Sequence, residues 1–196
     1  MTPAEALGAG QPVVLPFDTV YGLAAEPHHE ASTRRLYELK GRRPSQPTAL
    51  VAASVDTLLE LLPELDATLA WHLLPGPLTL VVPNPAHRFP WLAGDAPDKL
   101  GVRVPELAES TRDLVQSIGA VVATSANLPG GSDPRRVEEV PDTIRAGAAA
   151  VVDGGVLPGT PSTVVDLTGP QPRILREGAV STADVLRRLQ AAVRSS

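Results

Sequence analysis

The sequence predicts an α/β protein with one twisted, mixed, open sheet flanked by helices. Three observations support this fold class. Short apolar runs alternate irregularly with longer amphipathic segments, as in layered α/β folds. Proline and glycine, 21 and 16 residues, stand between these runs as turn residues and are not gathered in one tract. No stretch has the length and polarity of an interdomain linker, so we expect a single domain over residues 1–196.

The predicted strands are short apolar runs bounded by Gly, Pro or polar residues. They cover residues 13–15, 48–52, 78–82, 100–104, 120–124, 151–152, 163–167 and 173–175. Pro16 ends the first strand, and residues 17–23 are predicted as that strand's end turning into a loop. Residues 78–82 are continuously apolar, so we expect that strand to be buried on both faces.

The predicted helices cover residues 30–40, 55–62, 64–74, 106–118 and part of 135–149. Pro75 stops the third of these, and Gly119 closes the fourth at its C-terminal end. Ser181, with an acid three residues later at Asp184, predicts the start of a C-terminal helix over residues 181–195. Its amphipathic pattern places four apolar residues on one face: Val185, Leu186, Leu189 and Val193.

Composition excludes several classes of protein. The net charge is −5 and aromatics are 3%, which argues against a surface that is basic throughout or rich in stacking side chains. The chain has no cysteine, which rules out disulfides, thiolate metal sites and cysteine nucleophiles. No apolar run approaches the ~20 residues that span a bilayer, and the N-terminus lacks the basic region of a signal peptide. We therefore expect a cytoplasmic protein with no membrane association.

A basic turn follows the predicted helix over residues 30–40. Lys40 and Arg42 flank Gly41, which permits a sharp turn, and Arg43 adds a third positive charge. Lysine supplies a point charge and arginine a bidentate fork, so this turn suits a compact anion. The alternative is a solvated basic helix end that favours the helix dipole. The turn by itself leaves both interpretations open.

Polar residues also stand at the ends of apolar strands, where open α/β sheets bind their ligands. They are Asp18-Thr19, Arg103, Thr124-Ser125-Ala126-Asn127, and Ser162-Thr163 with Arg173 and Arg176. These hydroxyl, amide and guanidinium groups suit a ligand with phosphates and a carboxylate. Arg103 lies between two valines, so its charge needs a partner or a ligand.

Each of the other segments has a structural alternative. Residues 124–127 could be a strand end whose side chains satisfy backbone groups, and residues 162–163 could be a turn. Arg173 and Arg176 could pair on the surface with Glu177 or Asp184. Adjacent His28 and His29 diverge, and no metal site is predicted. The phosphate-binding glycine motifs and the common hydrolase motifs are missing from the sequence.

Six segments in order resemble the YrdC family, the threonylcarbamoyl-AMP synthases. They are Leu15-Pro16-Phe17-Asp18-Thr19-Val20-Tyr21-Gly22-Leu23, Leu39-Lys40-Gly41-Arg42, Pro75-Gly76-Pro77-Leu78-Thr79-Leu80, Gly101-Val102-Arg103-Val104-Pro105, Thr124-Ser125-Ala126-Asn127, and Ser162-Thr163-Val164-Val165-Asp166-Leu167 leading to Arg173-Ile174-Leu175-Arg176-Glu177-Gly178. Each motif is weak alone, but six in order over about residues 12–180 are specific.

The resemblance implies that the chain joins L-threonine, bicarbonate or CO₂, and ATP into threonylcarbamoyl-AMP, with release of pyrophosphate. ATP is then a substrate and brings Mg²⁺ with it. The product is expected to pass to a tRNA threonylcarbamoyl transferase complex that modifies adenosine in the anticodon loop, with weak tRNA binding by the chain itself left open. The implied fold has a concave, positively charged face. The chain ends soon after the motifs, so we expect a short-form member without the extra C-terminal domain of the longer branch.

The resemblance also implies roles for the matching residues. Lys40 and Arg42 are expected to be catalytic, acting on bicarbonate, carboxylate and phosphate groups. Threonine is expected to contact Thr19, Arg103 and Ser162. ATP is expected to contact Lys40, Ser125, Asn127 and Arg176.

Four residues depart from the family's usual pattern: Phe17 for Thr, Thr48 for Leu, Pro129 for Ser and Glu177 for Pro. They leave the shape of the threonine pocket open. One alternative is an RNA-binding or ribosome-associated YrdC-like paralogue without synthase activity. Another is a carbamoyl-transfer domain of the hydrogenase-maturation type, which normally belongs to a much larger chain with zinc modules.

Overall fold

The structure is a computed structural model that describes residues 1–195. Its strands are β1 Val13–Pro16, β2 Tyr21–Ala25, β3 Ala49–Ala52, β4 Leu78–Pro83, β5 Lys99–Arg103, β6 Ala120–Ser125, β7 Ala150–Val151, β8 Thr163–Asp166 and β9 Arg173–Arg176. Its α-helices are α1 Pro3–Gly8, α2 Glu30–Lys40, α3 Val55–Leu61, α4 Ala67–Leu73, α5 Glu109–Ile118, α6 Asp142–Gly147 and α7 Thr182–Ser195. No helix among these residues is long and apolar enough to cross a membrane.

All of these strands belong to one sheet in the order β7-β1-β2-β6-β3-β5-β4-β8-β9. Three neighbouring pairs, β1–β7, β3–β5 and β4–β8, are parallel, and the other five are antiparallel. The mixed, open sheet that the sequence predicts is therefore confirmed. The irregular order of strands and helices predicts a mixed sheet, because parallel neighbours need a crossover connection and antiparallel neighbours need only a turn.

The two faces of the sheet are covered unequally. Helices α2, α3, α4, α6 and α7 pack on one face around the larger apolar cluster. On the other face, α1 and α5 cover a smaller cluster built on β1, β2, β3 and β6. Among the residues that the structure describes, no helix covers the part of this second face formed by β4, β5 and β8, and the cavity described below lies there.

Two elements differ from the sequence prediction. Residues 21–25 form β2, which pairs with both β1 and β6, where we expected a loop. Glycine is uncommon in strands, so Gly22 weakens the strand pattern in the sequence. Its lack of a side chain lets the Phe17 ring pack against β2, because a Cβ at this position would lie 2.5 Å from that ring. Helix α1 was not predicted, although Thr2 and Glu5 form a capping box at its start.

Two burial predictions were wrong. Strand β4 is not buried on both faces, because Thr79 and Val81 are half-buried between fully packed neighbours. In α7, Val185 and Leu189 face the core as expected, but Leu186 and Val193 are exposed. Ala192 is buried in their place, so the buried stripe of α7 is rotated from the predicted one.

Helix α5 begins at Glu109, three residues later than predicted. The Glu106 N–H instead donates to the Asp18 carboxylate at 3.1 Å, which holds residues after β5 against the β1–β2 turn. Gly119 ends the helix with a φ of 85°. This left-handed conformation is one that glycine adopts without strain.

Candidate active site

A cavity of about 470 Å³ lies on the uncovered part of the second face. Its floor is formed by alternate residues of β3, β4, β5 and β8, whose neighbours in sequence face the main core, and by the last three residues of β6. The β1–β2 turn, the segment after α2 and the segment before β8 form its rim. A cavity of this size fits a small-molecule ligand.

Arg103, at the end of β5, is held at one side of this cavity. Its Nη2 donates to the Asp18 carboxylate and, at 2.9 Å, to the Thr19 hydroxyl. Burial lowers the pKa of the guanidinium, Asp18 raises it, and the nearby Arg176 lowers it again. The sequence prediction that this charge needs a partner or a ligand is met in part, since Asp18 is the partner.

Arg176, at the end of β9, lies against Ser162. Its Nη2 donates to the Ser162 carbonyl oxygen at 2.8 Å and to the Ser162 Oγ at 3.3 Å. Ser162 Oγ also lies 2.8 Å from Thr79 Oγ1 on β4. Arg103, Arg176, Ser162 and Thr19 therefore form one group of donors, which we call the Arg103 pole.

The surface-pairing alternative for Arg176 is wrong. Glu177 points away from it and accepts hydrogen bonds from the Thr182 N–H, at 2.9 Å, and from the Thr182 hydroxyl. Asp184 pairs with Arg187 one turn along α7. The acid beside Arg176 in the sequence thus serves the start of α7 and not the cavity.

Arg42 lines the opposite side of the cavity. Its guanidinium donates to the Pro47 carbonyl and lies 3.4 Å from Thr124 Oγ1, at the end of β6. The guanidinium carbon is 5.9 Å from the centre of the Tyr37 ring. Ser125 also lines this side. We call Arg42, Thr124 and Ser125 the Arg42 pole.

Lys40 lies behind the Arg42 pole and does not line the cavity. Its ammonium donates to the carbonyl oxygens of Ser125 and Asn127 and, at 2.8 Å, to Asn127 Oδ1. Burial, with a smaller effect of Arg42, lowers the pKa of Lys40 to about 8, while Asp133 opposes the shift. Asn127 also lies behind the wall, and its Oδ1 accepts from Ser125 Oγ at 2.7 Å.

Six of the eight predicted site residues therefore line one cavity: Thr19, Arg42, Arg103, Ser125, Ser162 and Arg176. Lys40 and Asn127 are brought to the same loop but behind the wall. The sequence analysis assigned no role to five further polar residues of the wall: Thr48, Thr79, Lys99, Asp133 and Asp166. A period of two in β4, β5 and β8 is the signal that could have found three of them. The expected positive charge of the whole concave face stays a prediction.

This fold and cavity define a class: an α/β domain with a concave cavity on one face of a mixed sheet, lined by arginine, lysine and hydroxyl side chains. The family model of Sua5, YciO and YrdC, described as telomere recombination, matches residues 5–178. The chain belongs to this family, as the six motifs indicated.

Curated relatives carry the name threonylcarbamoyl-AMP synthase. A putative one from Mycobacterium tuberculosis is 34% identical over 181 residues, which is 90% of this chain and 82% of that protein. One from Pyrococcus abyssi is 32% identical over 90% of this chain. The chain spans about half, 53%, of that archaeal protein's length.

Solved structures agree on the fold. The crystal structure of P. abyssi Sua5 complexed with L-threonine matches 95% of this chain and 56% of that chain, with 31% identity and a TM-score of 0.86. E. coli YciO matches 93% of this chain and 90% of that chain with a TM-score of 0.79. Its identity is 24%, so this likeness concerns the fold alone.

Proposed function

We propose that this chain is an ATP-dependent L-threonylcarbamoyladenylate synthase. It would join L-threonine, bicarbonate or CO₂, and ATP into threonylcarbamoyl-AMP and release pyrophosphate. The observation that carries the proposal is one cavity lined by two separate groups of donors, the Arg103 pole and the Arg42 pole. Two poles suit a reaction that joins a substrate with a carboxylate to a substrate with phosphates, because their proximity lowers the barrier.

Threonine is proposed to bind at the Arg103 pole. Arg103 offers guanidinium N–H groups to a carboxylate, and Thr19 and Ser162 supply hydroxyls for the remaining polar atoms. The relative from P. abyssi that was crystallised with L-threonine supports this assignment of substrate.

ATP is proposed to bind toward the Arg42 pole. Arg42 and Ser125 would contact phosphate or adenylate directly, whereas Lys40 and Asn127 would act through the loop that carries Ser125. Arg176 would bind nucleotide phosphate, and its hydrogen bonds to Ser162 link it to the proposed threonine contacts. Mg²⁺ would enter bound to ATP. Asp133 and Asp166 are the carboxylates of the cavity wall that would be available to it.

The reaction needs two bond-forming steps. The threonine amine, after losing a proton, attacks the carbon of CO₂ and becomes a carbamate. A carbamate oxygen then attacks the α-phosphorus of ATP, the bond from that phosphorus to the oxygen bridging to the β-phosphate breaks, and pyrophosphate leaves with the bonding electrons. Guanidinium groups fixed before the reaction would stabilise the charge that develops on the phosphates. The product would pass to a tRNA threonylcarbamoyl transferase complex in the cytoplasm.

The test is pyrophosphate release from ATP by purified protein, with L-threonine and bicarbonate each added or omitted. The proposal expects release only when both are present, and a product with the mass of threonylcarbamoyl-AMP. The Arg42→Ala variant should release almost none, while Glu64→Gln, which alters an Arg88 ion pair outside the cavity, should match the parent protein. Folded protein that binds ATP but releases nothing would refute the synthase and favour the RNA-binding alternative.

A further inference from the structure

Asp18 has no role in the function proposed above, yet it contacts the residue at the centre of the Arg103 pole. One carboxylate oxygen accepts from Arg103 Nη2, and the other accepts from the Glu106 backbone N–H at 3.1 Å. Both partners of this ion pair are largely buried, with side-chain exposures of 12% for Arg103 and 8% for Asp18. Asp18 and Thr19 together accept from Nη2, so the orientation of the guanidinium is restricted at this nitrogen.

Asp18 and Thr19 occupy the same nitrogen of Arg103, and the other nitrogens are left without partners. Within residues 1–195, Nε is buried with no hydrogen-bond partner, and Nη1 makes no hydrogen bond. Buried donors of this kind are rare and costly unless a ligand accepts from them. The guanidinium is thus anchored through Nη2, while its buried Nε has no partner among the described residues.

The net charge of the Arg103 pole also affects which ligand it can bind. Arg103 and Arg176 contribute two positive charges, with Arg176 close enough to lower the pKa of Arg103, and Asp18 contributes one negative charge. The three together carry a net charge of +1. A single positive charge suits the carboxylate of an amino acid, whereas two would favour a phosphate dianion and repel the amino acid's own ammonium group.

We propose that Asp18 is a positioning and specificity-determining residue, which aims Arg103 at the carboxylate of the amino-acid substrate and keeps a phosphate from taking the place of that carboxylate on Arg103. This inference rests on the proposed function, because it takes the occupant of the pole to be threonine. Asp18 acts through Arg103 and does not itself touch the substrate.

The experiment compares three variants in the pyrophosphate-release assay, with inorganic phosphate as the competing probe. Asp18→Asn removes the charge but keeps an oxygen for the Glu106 N–H. We expect the KM for threonine to rise about 10- to 100-fold, since one member of a buried charged pair is lost, while the KM for ATP stays within about twofold. Inorganic phosphate should become a competitive inhibitor against threonine at concentrations that leave the parent protein unaffected.

Asp18→Glu separates the two parts of the role. It keeps the charge and shifts its position, so it should raise the KM for threonine but leave phosphate without effect. Glu64→Gln is the matched control, because its carboxylate also binds an arginine, Arg88, at 2.9 Å but outside the cavity. It should change neither KM nor the response to phosphate.

Two results would overturn the inference: an unchanged KM for threonine in Asp18→Asn, or a parallel rise of both KM values with no competition by phosphate, which marks a structural role. Calorimetric binding of L-threonine to the same proteins keeps this outcome distinct from failure of the proposed function. If the parent protein binds threonine without releasing pyrophosphate, the synthase proposal fails, and the affinities of the Asp18 variants still decide the inference. If it binds no threonine, both fail.

Discussion

Lys40 and Arg103 are both buried cations beside one cavity, and their charges are satisfied in different ways. Lys40 donates to three neutral oxygens of Ser125 and Asn127. Arg103 is paired with a carboxylate and keeps unsatisfied N–H groups. The N–H groups of Lys40 are thus used in hydrogen bonds within the protein, whereas Arg103 retains donors for a ligand.

The difference explains how each side of the cavity is prepared for binding. On the Lys40 side, a charge without a carboxylate partner has its pKa lowered to about 8 and fixes the loop of residues 125–127 by hydrogen bonds. On the Arg103 side, a carboxylate offsets the charge and sets its direction. A loop that must be held in place and a side chain that must be aimed require different chemistry.

Removal of Lys40 is the strongest way to break this comparison. Lys40→Ala leaves three oxygens without their shared donor, so the loop that positions Ser125 should loosen. We expect the rate of pyrophosphate release to fall by a factor of about 10², because a shift of about 1 Å in groups that position a substrate has an effect of that size. Hydrogen exchange at residues 125–131 should become faster in the same variant, because Asn127 also holds Gly131.

Arg35→Ala is the matched control for this prediction. Arg35 lies on the same helix and donates to a carbonyl oxygen, that of Gly10, far from the cavity. Its removal should leave both turnover and exchange at residues 125–131 unchanged. Parent-like turnover by folded Lys40→Ala would show that the loop does not need the ammonium.

Arg176→Ala tests whether this arginine contacts ATP as well as supporting the threonine site. We expect the KM for ATP to rise about tenfold, since a charge-assisted contact to phosphate is lost, with a smaller rise for threonine. The smaller rise follows from the loss of the Arg176 bonds to Ser162, at 2.8 and 3.2 Å to the carbonyl oxygen. Steady-state kinetics with each substrate varied in turn measures both effects. A rise confined to threonine would assign Arg176 to the Arg103 pole alone.

The residues of the cavity wall show which parts of the site can be predicted from the sequence. Arg103 was identified because a charged residue inside an apolar strand needs a partner or a ligand, and Asp18 does pair with it. Thr79 was missed because it lies in a run that reads as continuously apolar, and its partner, Ser162, is 83 positions away. The placement of Lys40 behind the wall depends on where β6 delivers its carbonyl oxygens, which no local pattern encodes.

The fold was predicted more completely than the site for a physical reason. Helix α2 has the predicted bounds because apolar spacing and Gly41, at a φ of 70°, define it locally. Strand β2 is defined by its pairing with β1 and β6 and not by its composition. Where an element owes its form to distant partners, sequence pattern alone is silent.

Titration of Lys40 sharpens the comparison with a smaller effect. The chain has only two lysines, Lys40 and Lys99, so lysine labelled at its ε carbon gives two NMR signals that Lys40→Met assigns. The Lys40 signal should titrate with a midpoint near 8. Asp133→Asn should lower that midpoint, because Asp133 stabilises the charged ammonium. A Lys40 midpoint near the ordinary value of 10.5 would show that the ammonium is not desolvated.

Glu177→Ala should have the smallest effect, and it concerns an acid that the sequence places beside Arg176. Its carboxylate accepts from Thr182 and so stabilises the start of α7, and these hydrogen bonds lower its pKa. The variant should keep parent-like KM values and melt slightly earlier at neutral pH, whereas Glu60→Ala should not. Because the folded pKa is the lower one, the contribution exists above pH 4.5 and is lost as pH falls, so the melting difference should disappear in acid. A changed KM for ATP would place Glu177 in the cavity instead.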